Sequence, residues 1–188
     1  MNKLLTVSIC AALGILFYAI ITDGDAASFD EDTTGVWSNE DNPWENAVGC
    51  LAEAIYFEAG NQPIVGKLAV GNVIINRMYS PQYPDKICDV VHQGPVRESW
   101  KKNGVFYPIK HKCQFSYWCD GKSDIPKFGP TWDDSSAVAY WILADNDLDY
   151  TYLDIVEGAT HYHAVYVTPG WSYNLQKVVK IQDHIFYK

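Results

Sequence analysis

Apolar and polar positions along the chain fall into segments with different spacing. Leu4 to Ile21 is an uncharged, largely apolar run of eighteen residues. Residues 28 to 46 are acidic and polar and read as a linker. From Val48 the pattern becomes periodic. Val48, Leu51, Ala52, Ile55, Tyr56 and Ala59 recur at helical spacing and predict an amphipathic helix, closed by Gly60 and then Pro63. A second helix is predicted from about Ile64 to Met78, where Val65, Leu68, Ala69, Val70, Val73, Ile74 and Ile75 leave almost no polar face. A helix apolar nearly all round is buried inside a larger fold. Ser80-Pro-Gln-Tyr-Pro84 stops it, and residues 85 to 92 read as a short helix. Gln93 to Pro130 carries Gly, Pro, Lys and aromatics without a period, and long irregular segments of this kind often carry function. A third long helix follows, with Asp134 or Ser135 as its cap and Ala137, Val138, Tyr140, Trp141 and Ala144 apolar. His161 to Val167 alternates like a strand, Thr168-Pro-Gly-Trp171 is a turn, and Val178 to Tyr187 reads as a second strand. The predicted fold is α+β and helix-dominated, with a small β element near the carboxyl end.

The amino-terminal run changes the picture from a plain globular chain to an exported one. Lys3 precedes it, and Asp23, Asp25, Asp30, Glu31 and Asp32 follow it. That asymmetry places the amino terminus in the cytoplasm and the rest across the membrane. Residues 1–27 are thus either a cleaved signal peptide or a signal anchor, cut after Ala26 or Ala27 in the first case or held in the membrane by residues 4–21 in the second. Asp25 disfavours the cut after Ala27. The expected organisation is 1–27 signal or anchor, 28–46 acidic linker and 47–188 folded domain. The expected location is periplasmic, wall-associated or secreted. Cys50, Cys88, Cys113 and Cys119 are an even set in such a chain, consistent with two disulfides among three possible pairings. No pair has C-x-x-C spacing, which counts against zinc.

Charge narrows the partners. The net charge is −9 and the pI is about 4.8, which argues against nucleic acid. Seven tryptophans and 13 tyrosines supply flat rings suited to the C–H faces of sugars, or simply to a core.

Of the 23 acidic residues, Glu58 has the most telling surroundings. Ile55, Tyr56, Phe57 and Ala59 flank it, and it lies at the carboxyl end of a helix, where the dipole disfavours a negative charge. Both effects raise a carboxyl pKa, as a general acid requires near neutral pH. Glu53 is about 140° away around the same helix, reads as a solvated acid, and supplies no same-face partner. Asp85, Asp89 and Asp120 are not placed near Glu58 by anything in the sequence. Arg77, at the end of the buried helix, either contacts substrate or caps helix carbonyls, and capping is the expected role. Cys113-Gln-Phe-Ser-Tyr-Trp-Cys-Asp-Gly121 mixes amide, hydroxyl and aromatic groups, as a sugar subsite or a ligand-free tethered loop would. His161 and His163 share one side of a strand, and with His184 they could hold zinc in a wall amidase or peptidase, although H-E-x-x-H is absent. There is no G-x-S-x-G, P-loop or G-x-G-x-x-G, and no cofactor is expected.

Leu51-Ala-Glu-Ala-Ile-Tyr-Phe-Glu-Ala-Gly60 followed by Gly66-Lys-Leu-Ala-Val-Gly-Asn-Val-Ile-Ile-Asn-Arg77 resembles the SleB-type cell wall hydrolases, named for the spore cortex-lytic enzyme. Tyr83 to Val91, Cys113 to Ser116, Cys119 to Gly121, Ala159 to Ala164 and His184 to Tyr187 continue the resemblance in order, over about residues 48 to 187. The resemblance implies a lysozyme-like fold related to lytic transglycosylases and a peptidoglycan substrate. It implies cleavage between N-acetylmuramic acid and N-acetylglucosamine, with Glu58 as the catalytic acid and Tyr56, Gln114, Phe115, Ser116, Tyr162 and His163 contacting substrate. Transglycosylation is expected, in a phage lysis protein or a bacterial wall-remodelling enzyme. The alternatives are a hydrolytic muramidase, the metal-dependent amidase or peptidase, and a non-catalytic wall-binding module. The membrane is a second partner if the anchor is retained. One departure stands out. Family members commonly read Glu-Ala-Arg-Gly-Glu where this chain has Glu58-Ala-Gly-Asn-Gln62, so no role carries over for the arginine or the second acid.

Overall fold

The computed structural model describes residues 42–147 and 153–188. The expected signal or anchor, and most of the expected linker, lie outside the described residues. Among the described residues no helix is long and apolar enough to cross a membrane.

The first helix, α1 (Pro43–Ala59), begins inside the stretch read as linker. Asn42 explains the earlier start: its side-chain oxygen accepts from the Trp44 and Glu45 amides, and Pro43 occupies the first helical turn, where a missing N–H costs nothing. At its far end Gly60 allows a close approach, since a Cβ there would sit 2.4 Å from the Tyr56 carbonyl oxygen and 3.1 Å from Thr131. Helix α2 (Ile64–Tyr79) matches the predicted buried helix, and α3 (Ile87–Val91) the short one. Helix α4 (Pro130–Asp147) starts ahead of the caps expected at Asp134 or Ser135. A proline opens it, and the Asp133 amide already bonds the Gly129 carbonyl at 3.0 Å.

Helix α2 lies between two apolar clusters. On one side Ile74 and Ile75 join Leu51, Ala54 and Ile55 of α1, Val90 and Val91 of α3, and Val138, Ala139 and Ile142 of α4. On the other, Ala69 and Val73 meet Val156, Ala159 and Phe186. Gly71 permits the closest packing, because a Cβ there would lie 2.4 Å from Ile142 Cδ1 and 3.2 Å from Ile55 Cδ1.

The irregular stretch from Gln93 to Pro130 contains an antiparallel hairpin, β1 (Val96–Glu98) with β2 (Phe106–Pro108), and a 3-10 turn at Ser116–Cys119. The carboxyl end forms a three-stranded antiparallel sheet of β3 (His161–Ala164), β4 (Lys177–Ile181) and β5 (His184–Tyr187), with β5 in the middle. The single strand expected over 178–187 is therefore two. The chain reverses at Gln182, which takes a φ of 51° although it is not glycine. Disulfides join Cys50 to Cys88 and Cys113 to Cys119, which selects one of the three pairings.

Gln62 ties the end of α1 to that reversal. Its amide nitrogen donates to Asp183 Oδ2 at 3.1 Å, and its oxygen accepts from the Asp183 amide at 3.4 Å. Gln62 is buried. Gln62→Glu would set two carboxylates against each other, so it should cost about 1–3 kcal/mol at neutral pH. The penalty should fade as pH falls into the carboxyl range, where a shared proton restores the bond. Urea titrations at pH 4.5 and 7.5 would check this, and equal losses at both would contradict it.

Candidate active site

Four segments converge on the Glu58 carboxyl. Helix α1 carries Glu58 on its last turn, half-buried. Strand β3 brings Tyr162, whose hydroxyl donates to Glu58 Oε2 at 3.1 Å. The Cys113–Cys119 loop brings the backbone of Ser116 to the carboxylate, and the end of α2 brings the charge of Arg77. Burial pushes the Glu58 carboxyl above the usual carboxylate range. Tyr162, Ser116 and Arg77 each pull against that shift without overcoming it. Among the described residues, no second carboxylate is among the groups acting on Glu58.

Arg77 does not cap its own helix as expected. Its Nε donates to the Thr160 carbonyl at 2.7 Å, and its guanidinium lies over the rings of Tyr83 and Phe115, at 5.3 and 5.2 Å from their centres. Nη1 is buried with no hydrogen-bond partner. The preceding residue, Asn76, donates to Asp154 and to the Ala159 carbonyl at 3.1 and 3.2 Å. Asp154 in turn accepts from the Val156 and Gly158 amides. The two polar residues ending α2 thus fix the segment that leads into β3 and aims Tyr162 at Glu58. A polar pair closing an otherwise buried helix must find partners, and that is the sequence signal that marks them.

The remaining predicted site residues divide. Ser116 and Gln114 are exposed on the loop, with Ser116 directly at the carboxyl and Gln114 anchored by its amide to the Gln93 carbonyl at 2.9 Å. Phe115 is 1% exposed and faces Arg77 instead of solvent. The Tyr56 hydroxyl accepts from the Lys127 amide at 3.2 Å, and its ring meets Phe57 and Trp132 edge-on. His163 points to the face of the sheet opposite Tyr162. There it is buried, its Nε2 is 2.9 Å from the Tyr187 hydroxyl, and it packs with Trp171. His161 shares that face and also touches Trp171. His184 lies on the other face, edge-on to Tyr162. The three histidines weighed as zinc ligands are therefore split across the sheet, and among the described residues no group of His, Cys, Asp or Glu forms a metal site.

Glu53 differs from the solvated acid expected of it. It is half-buried, and its Oε1 has no hydrogen-bond partner. Burial first, and the charge of Asp124 second, raise its carboxyl to about 7, with Tyr117 partly offsetting them. An acid whose folded pKa is raised holds its proton more tightly when folded. Stability is therefore lost as pH rises from the unfolded value of 4.5 through about 7. The Glu53→Gln variant should match the native chain near pH 4.5 and exceed it in melting temperature at pH 8. A constant difference between the two across that range would contradict the assignment.

Comparison with known proteins agrees with this architecture. Residues 61–187 match the cell wall hydrolase family, beginning three residues after Glu58. The chain belongs to the cell wall hydrolase family. It is 38% identical over 141 residues to the spore cortex-lytic enzyme of Bacillus subtilis, covering 75% of this chain and 37% of that protein. It is 35% identical over 167 residues to the spore cortex-lytic enzyme of Oceanobacillus iheyensis, covering 88% and 50%. The chain thus spans half or less of the length of these relatives. Among solved structures it resembles the catalytic domain of the germination-specific lytic transglycosylase SleB from Bacillus anthracis. The TM-score is 0.52 at 23% identity, covering 76% of this chain and 94% of that one. The catalytic domain of Bacillus cereus SleB gives 0.51 at 21%, covering 77% and 91%. These likenesses establish the α+β, lysozyme-like fold.

Proposed function

We propose that this chain cleaves the glycan strand of peptidoglycan, at the β-1,4 bond between N-acetylmuramic acid and N-acetylglucosamine, with Glu58 as general acid. The observation that carries the reading is one half-buried carboxyl, raised by burial and held by Tyr162 and the Ser116 backbone, with no carboxylate partner acting on it among the described residues. Hydrolytic glycosidases generally use two such groups. A single group suffices when the substrate supplies its own nucleophile. The Glu58 proton goes to the glycosidic oxygen as the C–O bond breaks, and the N-acetylglucosamine side leaves as an alcohol. The muramyl 6-hydroxyl then closes on the anomeric carbon, and the Glu58 carboxylate takes its proton, leaving a 1,6-anhydro end. The attack is intramolecular, so its effective concentration is high. Ser116 and Gln114 are exposed and available to substrate, and Tyr162 orients the acid. No cofactor enters the scheme. In this reading the chain is exported, with residues 1–27 as signal or anchor and the following acidic stretch as a spacer.

Mass spectrometry of digested sacculi tests the reaction. Anhydromuramyl ends are expected. Reducing muramyl ends would move the reading to a hydrolytic muramidase, and cuts in the peptide would overturn both.

Tyr162→Phe tests the arrangement. A general acid must be protonated, so the alkaline limb of the pH–rate profile follows the Glu58 pKa. Removing a donor to the charged form raises that pKa further. The limb should shift to higher pH with a lower maximal rate. A limb that stays put or moves to lower pH would contradict the role given to Tyr162.

A further inference from the structure

The β1–β2 hairpin spends almost nothing on the core. Trp100 is 89% exposed and Phe106 58% exposed, and every residue of β1 faces solvent. Its shape is fixed all the same. The Ser99 amide donates to the Val105 carbonyl at 2.7 Å, and the Ser99 hydroxyl accepts from the Lys101 and Lys102 amides at 3.2 and 3.3 Å. The Glu98 carboxylate closes the turn by accepting from the Gly104 amide at 2.8 Å. That acid is the only one between Gly94 and Lys112, a segment that holds Arg97, Lys101, Lys102, Lys110 and Lys112 in a chain of net charge −9. The Lys101 ammonium lies 4.7 Å from the centre of the Trp100 ring.

A recess of about 330 Å³ opens on this tip, lined by Arg97, Glu98, Ser99, Trp100, Lys101 and Tyr107. It joins aromatic faces to cations and a hydroxyl in one concave, preformed surface. The stem of the hairpin is bonded to the loop that contacts Glu58, through the Gln114 amide to the Gln93 carbonyl at 2.9 Å and the His111 amide to the Cys119 carbonyl at 3.0 Å.

We propose that the β1–β2 hairpin is a second glycan-binding surface, which holds the anionic peptidoglycan strand outside the Glu58 site. Trp100 and Tyr107 take the C–H faces of sugars, and Arg97 and Lys101 take the carboxylates of the lactyl-linked stem peptides. Concavity and the mixture of ring faces with cations suit a chain of discrete charged sugars better than a flat lipid surface. The inference rests on peptidoglycan being the substrate and names where else the strand is gripped.

Cosedimentation with insoluble sacculi tests it, in a Glu58→Gln background that leaves the strands uncut. Trp100→Ala and the pair Lys101→Glu with Lys102→Glu should each weaken binding about tenfold, one strong contact's worth. The native hairpin's binding should weaken with added salt. In the active background the same changes should raise KM on sacculi and leave cleavage of short soluble glycan fragments unchanged. Sacculus affinity unchanged in both variants would overturn the proposal. So would binding to phosphatidylglycerol vesicles that these variants abolish while sacculus binding persists. A wild-type chain that releases no glycan fragments, yet needs Trp100 to bind sacculi, would overturn the catalytic reading and leave this one standing.

Discussion

Glu58→Gln should lower glycan cleavage by about 10²- to 10⁴-fold, the range expected for loss of a positioned general acid. Glutamine has nearly the same shape and carries no transferable proton. The Tyr162 hydroxyl can still donate to its amide oxygen. The fold should survive as well. Because burial disfavours the charged form of Glu58, the neutral amide removes a cost, and stability at pH 7 should hold or rise. Fragment release from sacculi and a thermal melt, taken together, separate the two effects. Activity within tenfold of the native chain would remove Glu58 from the chemistry. A large drop in melting temperature would make the loss of activity a folding defect.

The largest effect on stability should come from Cys50 and Cys88. Their bridge spans 38 positions and ties α1, which carries Glu58, to α3. By loop-closure entropy such a cross-link contributes about 4 kcal/mol, against about 2 kcal/mol for the bridge that spans 6 positions between Cys113 and Cys119. Replacing Cys50 and Cys88 by alanine should therefore cost about twice as much in a denaturant titration as replacing Cys113 and Cys119. Activity should rank the other way among molecules that remain folded, because the short loop presents Ser116 to Glu58. A native chain whose midpoint is unmoved by reductant would contradict the long bridge.

Elements that bury a periodic apolar face were legible from the chain alone. Helices α1 and α2 appear where the spacing placed them, and so does the start of β3. What escaped was held by groups that carry no period. The start of α1 depends on one asparagine oxygen at Asn42, and the start of α4 on a proline. The reversal between β4 and β5 uses Gln182, a residue with no turn signature. The β1–β2 hairpin adds no buried residue to the core, so no apolar alternation announces it. The same rule governs the site. Glu58 stood out because its neighbours are apolar and its helix end is unfavourable for charge. His163 was expected to contact substrate along with Tyr162, yet strand alternation turns adjacent residues to opposite faces, and it packs against Tyr187 instead. Arg77 and Glu53 were read from helix position alone. The partners that define them, Thr160, Phe115 and Asp124, lie far away in sequence.

Gln62 and Asp183 form one structural unit. An amide facing a carboxylate is satisfied in both directions, so neither residue can change alone without cost. The glutamate that resembling sequences carry at the position of Gln62 would be tolerated in this fold only with a neutral or basic residue at 183. Changing Asp183 to lysine should rescue Gln62→Glu. Across the family, the acid after the first helix and the turn before the last strand should change together.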